Sequence, residues 1–366
     1  MIHLPLLTRQ GGRSGGASSP TTRRSTSAMP ADSFPTHGTP RVSVVLAIHN
    51  CEEFVGDAIK SMQAQTVEDW ELICVDDAST DSSARVIESY AAEDDRIRLV
   101  RLESNRGPSG ARNAGIEAAR GEFIAILDAD DVATPDRLAI SLQAFEDDPE
   151  LGLLGGQHLV IDAAGVIRDR SERPRLSDEE FRASLERTTT IPHSSMMMRT
   201  ADARAIGGYD ERLPSAEDYD LILRMSARCK CARLDRCLLH YRRREGQLSE
   251  TGVVAGILYS EFARARADAA AENRTFDEEA HLERIRQQLG GRQGLSRQAG
   301  QHLRALALRA VQSGEHARFR VLIRRSTGYW PFSLHTLGWW ALSFGPNSLQ
   351  ARAARAWSRL RGQRRS

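Results

Sequence analysis

Short apolar runs alternate with amphipathic stretches from residue 41 onwards, and this alternation predicts the secondary structure. The run Val42–Ile48 is rich in β-branched residues, as expected for a strand that is buried on both faces. Pairs of a strand and a helix then recur, in the stretches CEEFVGDAIKSMQ, WELICVD, DSSARVIESYAAED, RIRLVRL, GPSGARNAGIEAARG and FIAILD. Strands joined by helices through short connections predict a mainly parallel sheet in a three-layer α/β domain.

The pattern continues to about residue 250. Asn50 is predicted to cap the first helix, and Glu53, three residues later, would complete a capping box. Further on, the chain predicts a helix after Pro135, a strand, its return strand or a loop, an amphipathic helix and a last strand. In that order these stretches read PDRLAISLQAFEDDP, LGLLGGQHLVID, VIRDRSERP, SAEDYDLILRMSAR and CARLDRCLLHYRR.

The two ends of the chain differ from this middle part. Residues 1–40 are largely Gly, Ser, Thr, Pro and Arg without periodicity, which predicts disorder, and the sequence leaves open whether Met29 is the true start. From residue 251 the chain is rich in Ala and Arg and predicts helices. We therefore expect a disordered tail at 1–40, an α/β domain at 41–250 and a helical, basic region at 251–366.

An aromatic segment, Tyr329–Phe344, interrupts the basic region. Pro331 and Gly338 divide it, so it is shorter than the ~20 continuous apolar residues of a spanning helix. Two interpretations stay open: its tryptophans contact a membrane interface, or they form the core of a small helical domain. The expected location is cytoplasmic, and the first interpretation adds a peripheral contact with the inner face of the plasma membrane.

Composition narrows the class of protein. The chain has 366 residues, a net charge of +1 and 40% hydrophobic residues, which is typical of a globular protein and predicts no nucleic-acid partner. Five cysteines do not make a disulfide framework in a chain of this length, and the odd number fits a reducing compartment. A zinc site at Cys229, Cys231, Cys237 and His240 is a weaker interpretation than buried thiols, because this stretch alternates like a strand.

Acidic and polar residues collect where the predicted strands end, in the stretches AIHN, VDDAST, LESNRG and LDADD. In open α/β sheets, ligands bind outside the carboxyl ends of the strands, so these residues predict one site. Asp128, Asp130 and Asp131 crowd one strand end, and carboxylates this close repel each other unless a positive partner is present. Their spacing suits a hard divalent cation that also contacts phosphate oxygens. The alternative is a solvated loop before the next helix.

Four stretches carry a resemblance to a known family: RVSVVLAIHNCEEFVGDAIKSMQAQT, ELICVDDASTD, NRGPSGARNAGIEAARGEFIAILDADD and AEDYDLILRM. In this order they resemble an inverting family 2 glycosyltransferase, over roughly residues 41 to 245. The resemblance implies a three-layer, Rossmann-like GT-A fold. It also implies metal-dependent transfer of a sugar from a nucleotide sugar, a UDP-sugar by preference. The implied acceptor is a hydroxyl of a bacterial cell-surface polysaccharide or lipid-linked glycan.

The same resemblance implies roles for residues at the strand ends. Asp130 would ligate Mn²⁺ or Mg²⁺ as part of a DxD motif, and Asp128 would contact the ribose or the metal. Asp77, or else Asp76, would read the base. Asp218 would act as the catalytic base that accepts the proton of the acceptor hydroxyl. The remaining residues that the resemblance places near the nucleotide or the acceptor are Ile48, Asn50, Glu53, Arg112, Asn113, Glu217 and Arg242.

Several of these residues have structural alternatives. Arg112 is about as well explained by an ion pair with a strand-end Asp, and the acids at 217 and 218 are also favoured at a helix N-terminus by its dipole. His193 either contacts metal or acceptor or is a hydrogen-bonded residue at a strand edge. His49 stands where the family usually has Tyr, which leaves the identity of the base open.

Three rival functions follow from the same residues. A nucleotidyltransferase on a similar sheet would need a Gly-rich, basic signature near the first strand, and AIHNCEEF has none. A hydrolase with an Asp nucleophile would carry that Asp after the first strand rather than the fourth. A non-catalytic nucleotide-sugar-binding protein would share the donor site and would not depend on Asp218.

Overall fold

The computed structural model describes residues 38–170, 174–186, 189, 191–243, 253–290, 303–304, 307–308, 311, 316–329, 346–347 and 350. The elements in chain order are β1 (Val42–Ile48), α1 (Val55–Gln63), β2 (Trp70–Asp76), α2 (Ser83–Ala91), β3 (Ile97–Arg101), α3 (Gly107–Ala118), β4 (Phe123–Asp128), β5 (Val132–Ala133), α4 (Arg137–Asp147), β6 (Leu151–Ile161), β7 (Ile167–Arg170), α5 (Asp178–Leu185), a 3₁₀ turn (His193–Ser195), β8 (Met197–Arg199), α6 (Thr200–Ala205), α7 (Glu217–Ser226), β9 (Lys230–Arg242), α8 (Val253–Ala271), α9 (Glu278–Gly290) and α10 (His316–Tyr329).

One mixed sheet organises these elements, with the strand order β3-β2-β1-β4-β8-β6-β9-β5 and β7 beside β6. Strands β3, β2, β1 and β4 are mutually parallel, as the sequence predicts. Strand β8 is antiparallel to both β4 and β6, so β6 again runs in the direction of β4, and β9 is parallel to β6. The carboxyl ends of β1, β2, β4, β6 and β9 therefore meet at one side of the sheet, called here the carboxyl edge.

Helices cover both faces of the sheet, which confirms the three-layer prediction. Successive side chains of a strand point to opposite faces, so Val44 and Leu46 pack beneath α1, α2 and α4, whereas Val45 packs against α3. The second face also receives α5, α6 and α7, through residues such as Phe181 and Leu221. The buried strands are continuous apolar runs because each contributes to two cores.

The predicted cap of the first helix is wrong. Helix α1 begins only at Val55, and its N-cap residue, Phe54, makes no side-chain capping bond. Asn50 instead adopts a left-handed conformation, with φ of 51°, and its side-chain oxygen accepts the N–H of Thr80. Glu53 is exposed. The chain turns sharply at the end of β1, so the helix starts one turn later than the sequence pattern indicates.

The stretch after β6, for which the sequence predicts a return strand or a loop, forms the strand β7, which pairs with β6 in an antiparallel hairpin. The helices predicted after residue 251 are present in the described part of that region. Helices α8 and α9 share an apolar cluster with the loop before α7, formed by Leu213, Leu258, Tyr259, Phe262, Leu282 and Ile285.

Parts of the two terminal predictions lie outside the described residues. These are the tail up to residue 37 and the aromatic segment from residue 330 to 344. Within the part that the structure describes, no helix combines the length and the apolar character needed to cross a bilayer.

Candidate active site

The carboxyl edge brings the predicted acidic residues together. Asp76, the last residue of β2, stands in register with Ile48 of β1, and Asp128, the last residue of β4, stands in register with Ala47. The two carboxylates thus flank the end of β1. Asp77 follows directly, and its N–H bonds to the carbonyl oxygen of the buried Ile48, 2.8 Å away.

Asp76 and Asp77 organise the loops at the end of β2. The Asp76 carboxylate accepts the N–H of Ser79 at 3.2 Å, whereas the buried Asp77 carboxylate accepts the N–H of Arg106 at 2.7 Å. The exposed His49 lies beside them, with its Nδ1 2.8 Å from the carbonyl oxygen of Asp77. Because a carbonyl only accepts, Nδ1 donates in this bond, and Nε2 can accept a hydrogen bond from the side-chain amide nitrogen of Asn50 at 3.2 Å.

Backbone strain concentrates at this edge. Four described residues other than glycine have positive φ, and three of them lie in loops at the candidate site: Asn50, Ala78 and Ala216. The values are 51°, 54° and 59°, in the left-handed region that costs non-glycine residues of order 1–3 kcal/mol. Such conformations persist only where surrounding contacts fix them, and they cluster at functional sites.

Arg112 joins the carboxyl end of β4 to α7. Its guanidinium lies 2.9 Å from Asp128 and 2.9 Å from Glu217, and the residue is 8% exposed. Burial alone would lower the pKa of Arg112, but the two carboxylates outweigh burial and raise it. The structural alternative for Arg112, an ion pair with a strand-end Asp, is therefore present, and it places the guanidinium inside the site.

His193 contacts the same strand end from the 3₁₀ turn. Its Nδ1 lies 3.6 Å from Asp128 Oδ1, and its Nε2 lies 2.8 Å from the hydroxyl of Tyr209. Ser194 Oγ accepts the backbone N–H of Asp128 at 2.9 Å. Burial raises the pKa of Asp128, but Arg112 and His193 outweigh burial and hold it well below its usual range. Asp128 is therefore an anion beside the guanidinium of Arg112.

Asp218 lies in the first turn of α7, beside Glu217, and is partly buried. Desolvation raises its pKa, and the negative charge of Glu217 raises it further. His193 and the N–H of Tyr219 offset part of this rise. A partly desolvated carboxylate with a raised pKa is a stronger proton acceptor than an exposed one, which is the property that a general base needs.

Arg242 holds the loop that contains Asp130 and Asp131. Its Nε donates to the carbonyl oxygen of Asp130 at 2.8 Å, its backbone N–H donates to the buried Asp131 at 2.8 Å, and its Nη2 pairs with Asp57 at 2.9 Å. Another guanidinium nitrogen donates to the carbonyl oxygen of Ala163. With only 3% of its surface exposed, Arg242 stands at the carboxyl edge as a support for the acidic loop. Its contact with phosphate stays a prediction.

Asn113 supports a different loop, Gly207–Glu211, called here the GGYDE loop. Its side-chain oxygen accepts the N–H of Tyr209 at 2.8 Å, and its side-chain nitrogen donates to the carbonyl oxygen of Tyr209 at 2.9 Å. The same nitrogen donates to Glu211 at 2.9 Å. The sequence interpretation did not include Tyr209 or Glu211. The paired glycines before Tyr209 were the available signal, because both adopt positive φ to form the turn.

No three His, Cys, Asp or Glu side chains of the described residues converge into a group that could hold a metal ion alone. Asp130 is the partly exposed carboxylate of the acidic loop. This arrangement still fits Mg²⁺ or Mn²⁺, because Mg²⁺ is often bound by one or two carboxylates and completes its coordination with substrate phosphates and water. It does not fit a closed protein cage.

Three comparisons place this geometry among known proteins. The family model described as "Glycosyl transferase family 2" matches residues 43–206. An uncharacterized glycosyltransferase of Methanocaldococcus jannaschii is 33% identical over 206 residues, which cover 56% of this chain and 71% of the relative. The succinoglycan biosynthesis protein ExoO of Rhizobium meliloti is 32% identical over 228 residues, 57% of this chain and 63% of ExoO.

Other relatives are matched over smaller shares. The chain spans 66% of the length of a Bacillus subtilis relative and 24% of the length of one from Sinorhizobium fredii.

Among solved structures, Staphylococcus aureus TarS 1-349 in complex with UDP-GlcNAc superposes with a TM-score of 0.53 at 18% identity, over 87% of this chain and 92% of that one. This similarity shows the fold, and its GT-A architecture is the one that the sequence predicts. The chain belongs to glycosyltransferase family 2.

Proposed function

We propose that this protein is an inverting, metal-dependent glycosyltransferase that transfers a sugar from a nucleotide sugar, by preference a UDP-sugar, to a hydroxyl of a glycan. The observation that carries the proposal is the bridge formed by Arg112. Arg112 links Asp128, at the end of β4, to Glu217. Glu217 is next to Asp218, whose carboxylate has a raised pKa. The proposed donor-binding and proton-accepting groups therefore border one region, which is lined by Asp128, Arg112, Glu217 and Asp218 and is called here the cleft.

The donor side consists of the ends of β1, β2 and β4. Asp77, already ordered by the N–H of Arg106, would accept an N–H from the base edge. Ile48, Asn50, Glu53, Arg112, Asn113 and Arg242 remain proposed contributors to the nucleotide site. TarS binds UDP and UDP-GlcNAc on the same fold, which supports a uridine nucleotide as the first donor class to test.

Asp130 would hold Mn²⁺ or Mg²⁺, with the diphosphate and water completing the coordination. A divalent ion bound there would neutralise negative charge on the departing nucleoside diphosphate. Asp128 stays ionised because Arg112 and His193 lower its pKa, so it can accept a hydrogen bond from the ribose or help to ligate the cation. Buried Asp131 keeps the loop in place through the backbone N–H of Arg242.

Asp218 would accept the proton of the acceptor hydroxyl while its oxygen attacks the anomeric carbon from the side opposite the nucleotide. Desolvation favours this step, because it raises the affinity of the carboxylate for a proton. Glu217, fixed by Arg112, would orient the acceptor. Catalysis would then combine positioning of the two substrates with electrostatic stabilisation of the leaving group.

The names of the relatives support a polysaccharide or lipid-linked glycan as acceptor. They include proteins of succinoglycan and O-antigen biosynthesis and chondroitin synthases. We propose an acceptor of this class on the cytoplasmic side of the membrane, with peripheral membrane contact by the C-terminal region.

Thermal unfolding with UDP, GDP, CDP and ADP, each with and without Mn²⁺, tests the donor site. A ligand at 100 times its Kd stabilises the folded state by about 2.7 kcal/mol. We expect UDP to raise the Tm only when Mn²⁺ is present, and Asp130→Ala to abolish the shift. A full UDP shift in Asp130→Ala would contradict the metal site. No shift with any nucleotide would contradict the proposed donor class.

A non-catalytic nucleotide-sugar-binding protein would give the same thermal shifts, so a second measurement is needed. Asp218→Asn should keep the UDP shift and lose most of the release of UDP from UDP-sugars. Unchanged release in this variant would contradict the assignment of the base.

A further inference from the structure

Two arginines of α8 contact α7, the helix whose second residue is the proposed base, Asp218. Arg264 donates a hydrogen bond to the hydroxyl of Tyr219, and Arg266 donates to the carboxylate of Asp220. Tyr219 and Asp220 are the two residues that follow Asp218. Helix α8 lies beyond residues 43–206, the part of the chain that matches the family model.

Arg266 connects α7 to the GGYDE loop as well. Its Nη1 lies 2.9 Å from Asp210 Oδ2, and its other contact, Asp220, is 1% exposed and also accepts from Arg224 at 2.8 Å. Phe262, one turn earlier on α8, packs its ring 5.2 Å from the Arg266 guanidinium. Arg266 is therefore held in a fixed position between two segments that border the cleft.

Both segments continue into the candidate active site. Asp210 follows Tyr209, whose hydroxyl contacts His193 next to Asp128. Asp220 lies on the same helix as Asp218, two residues further on. The guanidinium of Arg266 thus contacts both the GGYDE loop, which reaches Asp128 through His193, and α7, which carries Asp218.

Helix α7 packs into the core through the buried Tyr219, Leu221 and Ile222, but its first turn has no side-chain cap. Its N-cap residue, Ala216, makes no side-chain capping bond and has a strained φ of 59°. Arg112 holds Glu217 from the cleft side. An α-helix advances by about 100° per residue, so Asp220 points about 200° away from Asp218. Together with the apolar packing of α7, holding Asp220 against α8 turns Asp218 towards the cleft.

We propose that Arg266 is a positioning residue for the transfer reaction, which fixes the first turn of α7 through Asp220 and thereby aims the carboxylate of Asp218 at the acceptor. This inference rests on the proposed function, in which Asp218 is the base. Arg266 does not touch the substrates. It acts through Asp220 and Asp210, so its removal lowers turnover while the donor site stays intact.

The test uses the full chain with Mn²⁺, water as acceptor and a panel of UDP-glucose, UDP-galactose, UDP-GlcNAc and UDP-glucuronate. Release of UDP gives kcat and the donor KM. We expect Arg266→Met to lower kcat about ten- to hundredfold, the range for misplacement of a catalytic group, with the donor KM and the UDP thermal shift unchanged. Asp220→Asn, which keeps the size of the side chain, should reproduce the loss.

Arg286→Met is the matched control. Arg286 is on α9 and pairs with Glu279 and Glu283 of its own helix, so kcat should not change. The decisive variant combines Arg266→Met with Asp218→Asn. If Arg266 acts through Asp218, the double variant is no slower than Asp218→Asn alone. An additional full loss in the double variant, or a rise in the donor KM, would overturn the proposal.

The outcomes separate this inference from the proposed function. Full turnover in Asp218→Asn, or no UDP release by the unmodified protein with any donor, overturns both. Slow turnover in Asp218→Asn together with normal kcat in Arg266→Met and Asp220→Asn overturns the positioning role alone. If circular dichroism shows that Arg266→Met is unfolded, Asp220→Asn and Arg266→Lys replace it, and their kcat values are compared with and without Asp218→Asn.

Discussion

Asp218 and Glu217 are neighbours in sequence, yet their environments differ. Glu217 is paired with Arg112, whereas Asp218 experiences desolvation and the charge of Glu217. The sequence shows two adjacent acids at a helix start and cannot separate the pair. The structure does, because Arg112 comes from α3, 105 residues earlier in the chain.

The raised pKa of Asp218 predicts the acidic limb of the pH profile. Asp218 accepts a proton only when ionised, so kcat/KM for UDP release should fall as the pH drops through a pKa above the ordinary value of 3.8. Glu217→Gln removes the negative charge that raises this pKa. The acidic limb should therefore move to lower pH.

Glu211→Gln is the control for this profile. Glu211 pairs with Arg106 and contacts Asn113, and it is not among the main groups that shift the pKa of Asp218. Replacing Glu211 by Gln should therefore leave the acidic limb of kcat/KM at the same pH. An acidic limb that moves to higher pH in Glu217→Gln, or moves equally in Glu211→Gln, would contradict the electrostatic assignment.

The two glycines of the GGYDE loop have similar backbone conformations but different surroundings. Gly207 and Gly208 both have positive φ, of 77° and 67°, so substitution of either strains the backbone. Only Gly208 also lies against a partner. A Cβ added there would stand 2.5 Å from Asn113 Oδ1, whereas nothing lies within 4 Å of one added at Gly207.

This contrast gives a stability prediction. Gly207→Ala should lose about 1 kcal/mol of unfolding free energy through the backbone alone. Gly208→Ala should lose more, about 2–3 kcal/mol, because Asn113 must also move away from the loop that it holds. Urea unfolding of both variants measures the difference. Equal losses would show that Asn113 adjusts freely and does not anchor the loop.

The strands were predictable because local patterns determine them. A strand buried on both faces must be a continuous apolar run, and Val42–Ile48 is one. The start of α1 was not predictable in this way, because Asn50 bonds to Thr80, which is 30 residues away. The contacts of Asn113 with Tyr209 and of Arg266 with Asp220 span 96 and 46 residues. No periodicity in the sequence carries such pairings.

At the scale of the whole molecule, the helices after residue 250 are part of what holds the site. Ala263 of α8 belongs to the same core as Leu221 of α7, and Phe262 belongs to the cluster that includes Leu213, just before α7. A boundary at 250, drawn from composition, therefore separates segments that share two apolar clusters and the ion pair of Arg266 with the buried Asp220.

This packing predicts that a fragment of residues 38–250 is much less stable than the full chain. Removing α8 exposes apolar surface on α7 and leaves Asp220 without Arg266. Breaking a buried ion pair by removing one partner lowers the free energy of unfolding by about 3–5 kcal/mol. Arg224 still contacts Asp220 from within α7, so the loss from this pair should lie towards the lower end of that range. The urea midpoint of the fragment, compared with that of the full chain, measures the effect. A fragment as stable as the full chain would mean that α8 only covers an independent domain. The start of α7 would then be held without α8, by the ion pair of Arg112 with Glu217 and by the core packing of α7.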